Sequence, residues 1–272
     1  MLTGKAALIS GAAGGIGRAI SIAFAEAGAA VACCDIDMGS ATQTARLIEE
    51  AGGRALPLHC DVAVESETLH AAAETQNAFG RLDILVSGAA PHDTSGTVLE
   101  TSLADWERML AVNLTGSFLL CRAVLPLMIA GGGGSIILIA SQLGRVGSAG
   151  RAAYCATKGA LIQLAKVMAI DHADQNIRVN TLSPGAVETE RLLRRYGSFA
   201  AASEALGPKH LLGRLGHPSE IATAAVFLAS DAASFVTCSS TAATQRSEPQ
   251  ALRARLRLET GRVQRSLRPG GS

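Results

Sequence analysis

Aromatic side chains are scarce in this sequence: one Trp, two Tyr and six Phe among 272 residues, against 48% apolar residues overall. The core must therefore be built from Ala, Leu, Ile and Val, and the chain is long enough for one large domain with a sizeable core. Metal-ligand patterns are missing too. The Cys at 33, 34, 60, 121, 155 and 238 form no CxxC pair and have no His at ligand spacing, so they read as buried reduced thiols and no metal is expected. The apolar stretch "SIILIA" (135–140) falls far short of the about 20 residues a membrane helix needs. No signal-peptide pattern opens the chain, because Met1 leads within a few residues into a strand-like run, so the expected compartment is the cytoplasm. Excess positive charge is absent from the body of the chain. Residues 238–272 hold seven Arg against Glu248 and Glu259, a net +5, which leaves −4 for residues 1–237 out of a total of +1. The body thus offers no basic footprint for nucleic acid, and neither nucleic acid nor membrane is expected as a partner.

What is present is an alternation. Apolar runs at 5–10, 30–36, 55–60, 83–87, 135–140 and 177–183 read as strands. Helix-like segments fall between them, at about 16–27, to about 51, at 65–79, 105–130 and 152–173. The runs are apolar throughout, as expected when helices cover both sheet faces. Repeated β-then-α units with short connections imply an α/β fold, a doubly wound parallel sheet of Rossmann type in a single domain. No internal repeat or interdomain linker is visible.

Between the first strand and the first helix stands "SGAAGGIG" (10–17). Gly11 permits a tight exit from the strand; Gly15 and Gly17 let backbone approach a pyrophosphate and let the helix pack close to the sheet. The helix N-terminus then offers N–H groups and a positive dipole to phosphate. Asp35 ends the second strand, eighteen residues after Gly17, where a carboxylate would accept hydrogen bonds from an adenosine ribose and repel a 2′-phosphate. No Arg or Lys occurs between Ser10 and Gly17 and none directly follows Asp35, so NAD is favoured over NADP. Asp61 has a similar position after the third strand and could hold the adenine amino group.

"YCATK" places Tyr154 and Lys158 four residues apart, on one helix face, and Ser141 ends the fifth strand thirteen residues before the Tyr. All three fall at the carboxyl edge of the sheet, where ligands bind in such folds. An ordinary phenol, with a pKa near 10, suits acid–base work at neutral pH poorly; a neighbouring ammonium favours its phenolate. A Ser hydroxyl can hold the reacting oxygen beside the Tyr.

These residues, with "VNLTG", "RVNTLSPG" and "LLGRLGHPSEIA", resemble the short-chain dehydrogenase/reductase family in its compact, 3-oxoacyl-reductase-like form, over about residues 3–237. The resemblance implies that Tyr154 is the general acid/base, that Ser141 positions and polarises the substrate oxygen with Gln142 nearby, and that Lys158 tunes Tyr154 and binds the nicotinamide ribose. It implies that Asn113 holds a water that relays protons from Lys158. Pro184 and Gly185 would flank the nicotinamide, with Val187 and Thr189 close, and Ala13, Ile16, Val62 and Ala89 would touch the cofactor. The implied substrate is a small secondary alcohol or ketone, and the implied assembly a homotetramer or dimer if the C-terminus permits. Rival readings on the same fold are an epimerase or dehydratase with retained cofactor, a nucleotide-sensing regulator, and a catalytically impaired chain.

Some features depart from that pattern or stay open. Ser87-Gly88-Ala89-Ala90 stands where the family usually has Asn-Asn-Ala-Gly, which implies a looser tie for the fourth strand. Residues 186–214 fall where a mobile lid over substrate is expected. Its Arg191, Arg194, Arg195, Lys209 and His210 could meet an anion or merely be a solvated face. Arg151 and His92 are further candidates for the pocket rim. After "SDAASFVT" the family continues with Gly, a short strand and Asp-Gly-Gly; here Cys238 replaces the Gly, and the seventh strand is expected to be missing. Residues 238–272 read as an atypical, Arg-rich tail expected to be disordered, either the product of a shifted reading frame, which the coding DNA would reveal, or a plain basic tail.

Overall fold

The computed structural model describes residues 1–92 and 95–242. Seven parallel strands lie in the order β3-β2-β1-β4-β5-β6-β7. They are β1 (Ala6–Ser10), β2 (Ala30–Asp35), β3 (Arg54–His59), β4 (Ile84–Ser87), β5 (Gly134–Ile139), β6 (Ile177–Ser183) and β7 (Ser240–Ala242). The alternation of a strand splits each apolar run between two cores. In β1, Ala7 and Ile9 point to one face, where α1 (Gly15–Glu26), α2 (Met38–Glu50) and α9 (Pro218–Ala229) bring Ile20, Phe24, Ile48, Ile221 and Leu228. Leu8 points to the other, against Ala71 and Ala72 of α3 (Glu65–Phe79), Leu120 and Val124 of α5 (Gly116–Ala130), and Leu161 and Ala165 of α6 (Ala152–Asp171). Each Leu or Ile so buried contributes on the order of 1.5–3 kcal/mol.

The helix expected over 105–130 is interrupted. Between α4 (Leu103–Leu110) and α5 the backbone widens into a π turn, Ala111–Thr115, which places Asn113 fully in the interior. Such single-turn bulges often occur at functional sites. By length and composition alone the helix Leu103–Ala130 could cross a membrane, but half of its most apolar stretch is buried inside the protein.

The expected loss of the last strand is overturned. β7 pairs with β6 in the register Thr181↔Ser240, Leu182↔Thr241, Ser183↔Ala242. Strand pairing is made by backbone groups, and β6 supplies side chains that hold the approach in place. Asn180 Nδ2 donates to the Val236 carbonyl at 2.8 Å, and Asn180 Oδ1 accepts from Ser239 N at 3.0 Å. Arg178 reaches the Leu228 carbonyl at 2.8 Å, and Cys238 N donates to the Val179 carbonyl at 2.9 Å. The ordered sheet therefore passes residue 237 and runs to Ala242. Residues 243–272 of the expected tail lie outside the described residues.

Candidate active site

The strand order reverses direction between β1 and β4, and a crevice of about 950 Å3 opens at the carboxyl ends of the strands there. Its floor at one end is the loop entering α1. Gly11 has φ +77, and a Cβ there would stand 2.8 Å from the Gly88 backbone; a Cβ on Gly17 would stand 2.0 Å from the Gly11 carbonyl. Only glycine fits either place, and the resulting cradle brings bare backbone to the crevice beside Ile16 and Gly15. A nicotinamide dinucleotide needs such a cradle for its pyrophosphate, and the volume and the acids beyond it fit the rest.

Asp35 and Asp61 both line the crevice next to that loop, with Val62. Asp35 does cap the loop: Oδ2 accepts from Ala13 N at 3.0 Å and Oδ1 from Asp37 N at 3.1 Å. A carboxylate has about four acceptor positions, so capacity for ribose hydroxyls remains. Asp61 Oδ1 accepts from Ala63 N at 2.9 Å. Arg18, just past the glycines, is engaged by the same loop, on the Ala13 carbonyl, and by Gln43 and Thr44. Ala13 itself is not on the crevice wall; its backbone acts through Asp35.

The tie expected to be lost at the end of β4 is made differently. Ser10 Oγ accepts from Gly88 N at 3.1 Å and Ala89 N at 3.4 Å. Ser87 Oγ donates to Ser117 Oγ at 2.9 Å, and Ser117 donates to the Asn113 carbonyl at 2.7 Å. Three hydroxyls thus fasten β1, β4 and the π turn, with Ala89 left on the crevice wall.

Ser141, Gln142, Tyr154 and Lys158 share one stretch of that wall. Ser141 is held by accepting from Leu143 N at 3.1 Å. Lys158 is buried, with Nζ 2.7 Å from the Ile139 carbonyl and 5.7 Å from the centroid of the Tyr154 ring. Burial lowers the Lys158 pKa to about 7 from its usual 10.5, with the charge of Arg191 adding to the effect. Asn113 does not reach the crevice. Its Nδ2 donates to Thr157 Oγ1 and to Met109 Sδ, both at 3.0 Å, while its buried Oδ1 has no hydrogen-bond partner. Thr157 escaped the sequence reading; its only signal was its position immediately before Lys158.

Pro184, Gly185, Val187 and Thr189 line the facing wall, where the segment expected to be a lid begins. The start of that segment is bridged to the residues before α9: Gly216 N donates to the Ala186 carbonyl and Glu188 N to the Gly216 carbonyl, each at 2.9 Å. The same segment carries α7 (Glu190–Tyr196) and α8 (Phe199–Leu206). His210 is not an anion contact. It is buried, Nε2 accepts from Ala186 N at 2.9 Å and Nδ1 donates to the Leu206 carbonyl at 2.8 Å, so both ring nitrogens are engaged. A Cβ on Gly185 would stand 2.5 Å from that ring, so His210 packs against Gly185 and itself forms part of the crevice lining. Arg151, Arg191, Arg194, Arg195 and Lys209 do line the crevice; His92 does not.

A parallel doubly wound sheet with a glycine cradle at its switch point is the architecture of a dinucleotide-binding Rossmann fold, and Ser141, Tyr154 and Lys158 line the same crevice. The comparisons with known proteins sharpen that. Residues 11–243 match the family model described as enoyl-(acyl carrier protein) reductase. The chain is 42% identical over 236 residues to D-threitol dehydrogenase of Mycolicibacterium smegmatis, covering 86% of this chain and 89% of that one. It superposes on a short-chain type dehydrogenase/reductase from Mycobacterium marinum with a TM-score of 0.84 at 35% identity, covering 89% and 94% of the two chains. A 7α-hydroxysteroid dehydrogenase solved with NADH and 7-oxo glycochenodeoxycholic acid gives 0.83 at 35% identity, with the same coverage. The chain belongs to the short-chain dehydrogenase/reductase family.

Proposed function

We propose that this protein is an NAD-dependent oxidoreductase that interconverts a secondary alcohol and its ketone, with Tyr154 as the acid/base. The observation that carries the reading is the convergence of Ser141, Tyr154 and buried Lys158 on one wall of a crevice whose floor is the glycine cradle. The bound nicotinamide supplies the hydride acceptor at the carbinol carbon. All else belongs to the chain. Ser141 holds the substrate oxygen by a hydrogen bond, and Tyr154 Oη takes the hydroxyl proton as the carbonyl forms, returning it in the reverse direction. Lys158, fixed by the Ile139 carbonyl, places its ammonium beside the phenol, and would bind the nicotinamide ribose when the cofactor is present. The unpartnered Asn113 Oδ1 is suited to hold a water that carries the proton onward from Lys158. Pro184, Gly185, Val187 and Thr189 wall the nicotinamide, and Gly11, Gly15, Ile16 and Gly17 hold the pyrophosphate. Gln142 lines the substrate side, and Val62 and Ala89 pack along the cofactor.

Asp35 supports NAD over NADP: its free acceptor capacity suits ribose hydroxyls, and Arg18 is already engaged by Ala13, Gln43 and Thr44. In this reading the described residues to Ala242 form one catalytic domain of a cytoplasmic protein. Assembly as a tetramer or dimer is supported by apolar side chains exposed on neighbouring helices, Phe118 and Ile129 on α5 and Val167 and Ile170 on α6.

The test is a screen of secondary alcohols with NAD, followed by absorbance of NADH. Tyr154→Phe should abolish turnover, by about two to four orders of magnitude, while NADH still binds. Appreciable turnover by that variant would sink the assigned role, and activity without net NADH would favour a retained-cofactor epimerase.

A further inference from the structure

The crevice is lined by more cations than carboxylates. Its carboxylates among the described residues are Asp35 and Asp61, at the adenosine end, and Glu190, which lies against Gly14 of the glycine cradle. The cations lining the crevice are Arg108, Arg151, Arg191, Arg194, Arg195 and Lys209, and Arg191 follows Glu190 on α7. Arg191 is the one set among the reacting groups. It is half-buried, and its guanidinium carbon stands 5.7 Å from the centroid of the Tyr154 ring. One Nη2 donor goes to the Pro91 carbonyl at 2.7 Å, and no carboxylate among the described residues pairs with it. A guanidinium has five N–H donors in a planar fork, so a face suited to bidentate carboxylate recognition remains.

Arg191 is also badly placed if nothing anionic joins it. Its guanidinium carbon and the Nζ of buried Lys158 each stand 5.7 Å from the centroid of the Tyr154 ring, and two cations so gathered disfavour one another. The Lys158 pKa, brought to about 7 by burial and then by Arg191, registers that repulsion. An anion bound at Arg191 would relieve it and would sit within a few bonds of whatever oxygen Tyr154 meets.

We propose, resting on the oxidoreductase reading above, that the substrate is a hydroxy acid or its oxo counterpart, a secondary alcohol whose carboxylate is clamped by Arg191 a few bonds from the carbinol carbon. The exposed Arg194, Arg195 and Lys209 draw the anion in without gripping it. Arg191 is then the specificity residue of the site.

The test uses one carbon chain as a ruler. The 2-, 3-, 4- and 5-hydroxyhexanoates, each paired with its neutral amide, are offered with NAD, and NADH is followed. At least one position should show kcat/KM for the carboxylate about tenfold or more above its amide. Arg191→Gln should bring that ratio to about one, chiefly through KM, and Arg191→Lys should keep part of it. Amides that match their acids at every position, or a variant that lowers acid and amide equally, would overturn the clamp. Calorimetric titration with hexanoate and hexanamide reads the same preference without turnover or a variant, so a misfolded Arg191→Gln does not block the test. Hexanoate preferred there supports the clamp; equal binding overturns it. NADH formed from no alcohol at all would count against the oxidoreductase reading alone, and the titration would still decide the anion site.

Discussion

The side-chain amide of Asn113 donates to Thr157 Oγ1 at 3.0 Å, and that hydroxyl donates to the Tyr154 carbonyl at 2.9 Å. One hydroxyl thus joins the π turn to the helix that carries Tyr154 and Lys158. It also fixes which end of the Asn113 amide is turned to the unpartnered side. Thr157→Val keeps the shape but leaves the Asn113 amide with only the weak Met109 sulfur as partner, at a cost of about 1–3 kcal/mol. We expect a lower unfolding midpoint, and a fall in kcat with the Kd for NADH nearly unchanged. Thr157→Ser should restore both. If kcat does not move while stability falls, the hydroxyl is structural only.

Cofactor choice should follow Asp35. Its carboxylate faces the crevice while holding the backbone N–H groups of Ala13 and Asp37. Removing it in Asp35→Ala takes away both the ribose acceptor and the charge that would repel a 2′-phosphate. The kcat/KM ratio of NAD to NADP should shrink by about tenfold or more, mostly through loss with NAD. An unchanged ratio would show that another group makes the choice.

Lys158 makes stability depend on pH in the cofactor-free protein. Its pKa is about 7 in the folded chain, against 10.5 for an ordinary Lys. Between those values the unfolded chain holds a proton that the folded chain has released, so raising the pH favours folding across this window. Below about 7 both forms hold it and the burial penalty is complete. Lys158→Met lacks this dependence, so its stability relative to wild type should be greatest near pH 6 and shrink steadily toward pH 10. Urea unfolding of both proteins across that range reads the difference directly. Parallel curves would mean that Lys158 keeps its ordinary affinity for protons.

Much of this site was legible because its parts sit at fixed positions along the chain. The strand–glycine–helix order placed Gly11 to Gly17 at the cradle, and the four-residue step from Tyr154 to Lys158 put both on one side of α6. What was not legible depends on partners distant in sequence. Nothing local to His210 says that its ring backs onto Gly185, and nothing in "VNLTG" announces the π turn that buries Asn113. The seventh strand was missed for a related reason. Its residues have no strand-like pattern of their own; Asn180 of β6 holds the approach at Val236 and Ser239, and backbone pairing with β6 holds the strand.

The approach to that strand holds one strained residue. Cys238 has φ 59, in the left-handed region, where the family pattern has glycine. A side chain in that region costs about 1–2 kcal/mol, partly offset because glycine loses about 0.5–1 kcal/mol more entropy on folding. Cys238 is exposed, so little packing is lost with its side chain, and its N–H bond to the Val179 carbonyl survives substitution. Cys238→Gly should therefore stabilise the protein by up to about 1 kcal/mol, read as a higher urea midpoint at constant m-value. Cys238→Ala keeps the Cβ and should leave the midpoint close to wild type. A glycine variant no more stable than the alanine variant would show that the backbone at this corner relaxes in solution, and that the left-handed turn is not what limits the pairing of β7.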